Sequence, residues 1–153
     1  MNIEYRRASL DQLDLLVETR IKVLRAANRL DDGADLSEVE AQSRDYYLRA
    51  LRHDTHTGYL AFDGEDFVGA GGVSYFRVMP TCHDPTGWKA YVMNMYVRPE
   101  YRRRGIAARM LDMLVADARA RGICCIGLEA TDAGRPLYEK YGFIPAGSEM
   151  ELP

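Results

Sequence analysis

Residues 102–108, RRRGIAA, place arginines ahead of a glycine and small residues where an apolar strand gives way to an amphipathic helix. The first turn of a helix leaves its backbone N–H groups without intrahelical partners, and the helix dipole puts partial positive charge there. A loop built this way turns several amides, those of Gly105, Ile106, Ala107 and Ala108 among them, toward one anion. Gly105 lets the backbone approach closely, and Ala107 keeps the next position small. Arg102, Arg103 and Arg104 offer side chains to further phosphates. The chemistry written here is a pyrophosphate cradle.

Two elements must hold that loop. Upstream, the apolar run Trp88–Val97 reads as a strand, which Pro99 cannot extend. Downstream, Ala107, Met110, Leu111, Leu114, Val115 and Ala118 recur at helical spacing and make one apolar face. Gly122 ends that helix, and the apolar run 123–128 suits a buried strand flanked by helices.

The rest of the chain supplies the frame. Residues 2–7 predict a first strand, and Ser9 with Gln12 makes a capping box for a helix. Leu10, Leu13, Val17, Ile21 and Leu24 form its expected buried stripe. A second capping box, Ser37 with Glu40, starts the next helix, with Val39, Ser43, Tyr46, Tyr47, Ala50 and Leu51 on one face. Strand-like runs 58–62 and 67–76 flank Asp63-Gly64, a hairpin signal. A short helix over 136–141 stops at Gly142, and a last strand is expected from Phe143. The order β-α-α-β-β-β-α-β-α-β predicts an α/β protein, a mixed sheet with helices on both faces.

A chain of 153 residues reads as a single domain, 1–153, able to bury a core without disulfides or metal. Its net charge of −3 argues against nucleic acid as a partner. Cys82, Cys124 and Cys125 fit neither a disulfide framework nor a zinc site, and the pair belongs to the apolar run 123–128. Polar residues 2–7 predict no secretory leader, and no apolar run approaches the ~18 residues of a membrane span. The expected compartment is the cytoplasm, away from any membrane.

Three segments together resemble the GNAT acetyltransferase superfamily: the strand ending MYVRPEY, the R-x-x-G-x-A pattern at Arg102, Gly105 and Ala107, and GRPLYEKYGF from Gly134 to Phe143. The resemblance implies acetyl-coenzyme A as co-substrate and no metal. It assigns the coenzyme's pyrophosphate to the 102–108 loop. It assigns the pantetheine arm to Met95, Tyr96 and Val97, on a strand that parts from its parallel neighbour. A backbone N–H near Met95 would stabilise the oxyanion. Tyr138 would protonate the departing thiolate, a sensible task for a group of pKa near 10. Many relatives carry asparagine where this chain has Thr131, which is kept here as a coenzyme contact.

The general base stays open among Glu129, Asn94 through a water, His83 and Asp84, with Glu129 preferred at its strand end. The implied reaction moves acetyl to a primary amine of a small molecule or peptide, by direct attack in a ternary complex. The implied assembly, common among relatives, is a homodimer. In this fold the loop between the first two helices and the loop before Trp88 wall the acceptor side. Asp31, Asp32, Asp35, Glu38 and Glu40 there, with Tyr46, Tyr47 and Trp88, suggest a small cationic or polar amine; a solvated acidic loop is the competing reading.

Two rivals are a coenzyme A-binding regulatory module without catalysis and a nucleic-acid domain using the arginines. Other signals carry less. His53 and His56 lack further metal-ligating neighbours. Gly69, Gly71 and Gly72 lack a dinucleotide fingerprint's third glycine and helix, and mark a strand needing close backbone approach. Cys124 and Cys125 have no histidine beside them to activate a nucleophile.

Overall fold

Gly64 takes φ +63° and Asp63 pairs with Asp66, so β2 (His56–Asp63) and β3 (Asp66–Arg77) form the hairpin the Asp-Gly step predicts. A computed structural model, describing residues 2–153, builds the sheet outward from it. β1 (Ile3–Arg7) pairs antiparallel with β2, β4 (Trp88–Val97) antiparallel with β3, and β5 (Cys125–Leu128) parallel with β4. The five strands run in the order β1-β2-β3-β4-β5.

Alternate residues of β2 and β3 then face opposite helices. Leu60, Phe62 and Ala70 pack with Leu16 and Val17 of α1 (Leu13–Ala27) and Tyr47 of α2 (Ser37–Arg52). On the other face, Val73, Tyr75, Ala90 and Val92 pack with Leu111, Leu114, Val115 and Ala118 of α3 (Ile106–Ala120), joined by Tyr138 of α4 (Arg135–Tyr141). The mixed α/β class and the two helical layers are as predicted.

Five local expectations change. The chain over Ser9–Gln12 is a capping box opening a short 3-10 turn, with Gln12 Oε1 accepting the Ser9 N–H at 3.2 Å. α1 then buries Leu16, Val17, Thr19 and Val23, and Leu10 is exposed, because the helix packs against both the sheet and α2. Ser37 lies inside α2; Asp35 Oδ1 accepts its N–H at 2.9 Å and does the capping. From Phe143 on the chain forms no strand. Phe143 packs on Tyr138 and Tyr141, while Pro145 and Gly147 interrupt the segment beyond it. β5 is half-buried along its length, since it lies at an edge, and Cys124 beside it is exposed.

Asp117 on α3 ties the far end of that helix to the hairpin. Its carboxylate accepts from the hydroxyls of Thr57 and Tyr75 and pairs with Arg7 and Arg121 at 3.0 Å. Arg121 also lies 4.1 Å over the Tyr75 ring. Burial pushes the Asp117 carboxyl up, but the two hydroxyls and two guanidiniums outweigh it and hold the group below its ordinary 3.8. A depressed native pKa means stability that is present above 3.8 and lost as pH falls through the native value. Asp117→Ala should cost about 2–3 kcal/mol at neutral pH, by stranding partly buried donors. Urea unfolding should show that gap closing as the pH drops below 3.8.

Candidate active site

β4 and β5 share only the pairs from Lys89–Cys125 to Val92–Leu128. From Met93 onward, the β5-side edge of β4 has no strand partner among the described residues. The parting coincides with a bulge. Ala70 pairs with Tyr96 and Gly72 with Met93, so Asn94 and Met95 together oppose Gly71. Asn94 adopts φ +62°, which turns the strand there.

The glycines of β3 make the bulge possible. A Cβ on Gly69 would lie 2.8 Å from the Tyr96 carbonyl oxygen, and one on Gly71 would lie 2.8 Å from Met95 Sδ. The close approach read from the sequence is thus the approach of β4's irregular backbone.

The arginine loop follows the end of β4. Gly105, at φ +81°, is the N-cap of α3; no side chain caps the helix and no acidic residue lies in its first turn. Nothing comes within 4 Å of where a Gly105 Cβ would stand. Uncapped first-turn amides behind an exposed glycine fit the recognition of an anion such as a pyrophosphate. The three arginines differ in their tasks. Arg102 Nε donates to the Val97 carbonyl at 3.0 Å and ties the loop to the strand end. Arg103 has φ +61° and is exposed. Arg104 lies 5.4 Å over the Tyr101 ring. Ile106 is buried beneath the loop, Ala107 half-buried and Ala108 exposed.

Glu129 directly follows Leu128, the last paired residue of β5, and Tyr138 lies on α4. Both line a cleft of about 630 Å³ along β5 that also takes in Leu128, Ala130 and Tyr91. Tyr138 is buried, its ring edge-on to Phe143 at 6.0 Å, and that burial pushes its hydroxyl pKa up. Glu129 is exposed at the strand end, close enough for its charge to raise the pKa of Tyr91 after burial has done so.

Thr131 stands just beyond, where its Oγ1 accepts the Gly134 N–H at 3.1 Å and helps start α4. His83 and Asp84 do not line the cleft; Asp84 orders the β3–β4 turn, its carbonyl accepting from Thr81 and Gly87. Asn94 stays at the bulge, and its Oδ1 accepts from Arg20 Nη1 at 3.0 Å.

Sequence reasoning missed Arg20 and a polar group beside it. His56 is buried, and its ring nests against Gly72, where a Cβ would come within 3.0 Å. Its Nδ1 is 2.8 Å from the Tyr46 hydroxyl, which also contacts Ser74 Oγ. A signal for Arg20 existed: it follows Leu16 by four and precedes Val23 by three, so it shares a helix face with two apolar residues.

The Acetyltransferase (GNAT) family matches over residues 24–143. A predicted acetyltransferase from Clostridium acetobutylicum, solved with acetyl-CoA, is 31% identical over 99% of this chain and 96% of its own, with a TM-score of 0.89. A GCN5-related N-acetyltransferase from Ralstonia eutropha JMP134 is 29% identical over 99% and 98%, with a TM-score of 0.83. Glucosamine-6-phosphate N-acetyltransferase from Arabidopsis thaliana, 12% identical at a TM-score of 0.70 over 100% and 99%, shares the fold. No protein of curated function matches in sequence. The chain belongs to the GNAT acetyltransferase family.

Proposed function

We propose that the protein transfers acetyl from acetyl-CoA to a primary amine of a small molecule or peptide, by direct attack in a ternary complex. The reading rests chiefly on one observation: β4 bulges and parts from β5 shortly before the uncapped start of α3.

Gly105, Ile106, Ala107 and Ala108 receive the pyrophosphate on their amides, with Arg103 and Arg104 beside them and Arg102 holding the loop. Met95, Tyr96 and Val97 offer an unpaired strand edge to the amides of the pantetheine arm. The amine nitrogen attacks the thioester carbon, forming the C–N bond as the C–S bond breaks. Backbone N–H at the bulge stabilises the oxyanion. Glu129 takes the proton the amine must lose, and Tyr138 gives one to the leaving thiolate. Thr131 contributes to the coenzyme wall through the hydroxyl proton it still has to donate.

Calorimetric titration with acetyl-CoA alone tests the first half, with saturable one-to-one binding expected. A thiol-release screen over primary amines tests the second. No binding at millimolar coenzyme would overturn the reading. Binding without turnover on any amine would mark a coenzyme A-binding regulatory module instead.

A further inference from the structure

Arg20 is a half-buried guanidinium without a carboxylate partner among the described residues, and it reaches across from α1 to the bulge where acetyl transfer would occur. Its one hydrogen bond goes to a neutral group, Asn94 Oδ1. A guanidinium has five donors in a planar fork, so most of its capacity is still available. The charge also reaches the neighbouring wall, where it biases the ionisation of Tyr46, Tyr47 and His56.

That wall adds no second charge. Burial, helped by Arg20, lowers the His56 pKa to about 4, so the imidazole is neutral at physiological pH. Tyr46 and Ser74 present hydroxyls bonded to each other, and the Tyr46 hydroxyl also bonds His56. The acidic residues between α1 and α2 do not answer Arg20 either. Asp31 Oδ1 accepts the Gly33 N–H and Asp35 Oδ1 the Ser37 N–H, both at 2.9 Å, so these carboxylates serve their own turns.

A half-buried cation among neutral groups favours an incoming anion, and a purely cationic acceptor would meet like charge there. Resting on the N-acetyltransfer reading above, we propose that the acceptor is an amine that also carries a carboxylate, an amino-acid-like zwitterion, and that Arg20 receives that carboxylate while the amine faces the bulge. The small cationic or polar amine suggested by the acidic loop is thereby narrowed to an amine bearing its own carboxylate.

The test compares a panel of L-amino acids with the matching amino-acid amides, which keep the amine and lose the negative charge. Thiol release with acetyl-CoA should favour the acids by about 10- to 100-fold in kcat/KM, the range for a hydrogen bond to a charged group. Arg20→Gln should erase that preference, chiefly through KM, with the acetyl-CoA Kd unchanged; Arg20→Lys should restore part of it. Asn94→Gly keeps the left-handed backbone but removes the Arg20 contact, and should retain the preference if Arg20 reads the substrate rather than merely bracing the bulge.

Amides used as well as acids, or an acid preference surviving in Arg20→Gln, would overturn the proposal. If neither series turns over, N-acetylglycine with coenzyme A probes the site directly. A shift of the Arg20 Nε–H resonance in the wild type supports the site, and a fixed resonance at millimolar probe overturns it. Failure of the parent reading looks different, because acetyl-CoA would then leave the Gly105 amide resonance unmoved.

Discussion

Gly105→Val is expected to abolish acetyl-CoA binding, raising Kd by at least about 100-fold. The residue adopts φ +81°, a left-handed conformation that a β-branched side chain rarely takes. Holding valine there costs on the order of 1–3 kcal/mol, and relaxing it turns the first amides of α3 away from their common focus. In the proposed site those amides act together on one pyrophosphate, so each hydrogen bond lost to a charged group would remove about 1.5–3 kcal/mol. Two such losses already exceed the hundredfold mark.

The damage should be specific to the coenzyme. Beyond its chain neighbours nothing lies within 4 Å of the new Cβ, so no tertiary clash blocks folding. Calorimetry against acetyl-CoA reads the loss, with a thermal melt to show the variant folded. Gly105→Ala should fall between the two. Tight binding retained in the valine variant would remove the loop from the coenzyme site.

Tyr138→Phe is expected to lower kcat by about 10²- to 10⁴-fold while the acetyl-CoA Kd stays within about twofold, the signature of a missing general acid. The hydroxyl is all the substitution removes, and the ring keeps its packing against Phe143 and the Leu128 side of the cleft. Burial raises the Tyr138 pKa above its ordinary 10.0, so the phenol holds its proton through the whole neutral range. A donor that stays protonated gives kcat no falling limb on its own account until the pH passes 10. Stopped-flow thiol release in both proteins checks the rate, and calorimetry checks the affinity. Unchanged turnover in the phenylalanine variant would take Tyr138 out of the chemistry.

The readable parts of this protein were those governed by neighbours in the chain. The Asp63-Gly64 turn, the period of α3 from Met110 to Ala118 and the glycine at the start of that helix rest on backbone conformation and residue spacing within a few positions. Each took its expected form. The same local rules erred where competing partners decided the outcome. α1 kept Val17 in its buried stripe but added Leu16, Thr19 and Val23, because α2 and the sheet both press on it, and Phe143 joined the α4 cluster instead of opening a strand.

A mixed α/β fold and a glycine-started helix after the fourth strand were legible in the chain alone, since capping, periodicity and glycine conformation are written locally. The place where β4 parts from β5, and the meeting of Arg20 with Asn94 across 74 residues beside His56, Tyr46 and Ser74, came from long-range contacts. Such encounters depend on cross-sheet register and on the space left by Gly69, Gly71 and Gly72. Register is a property of paired strands, and no single segment carries it.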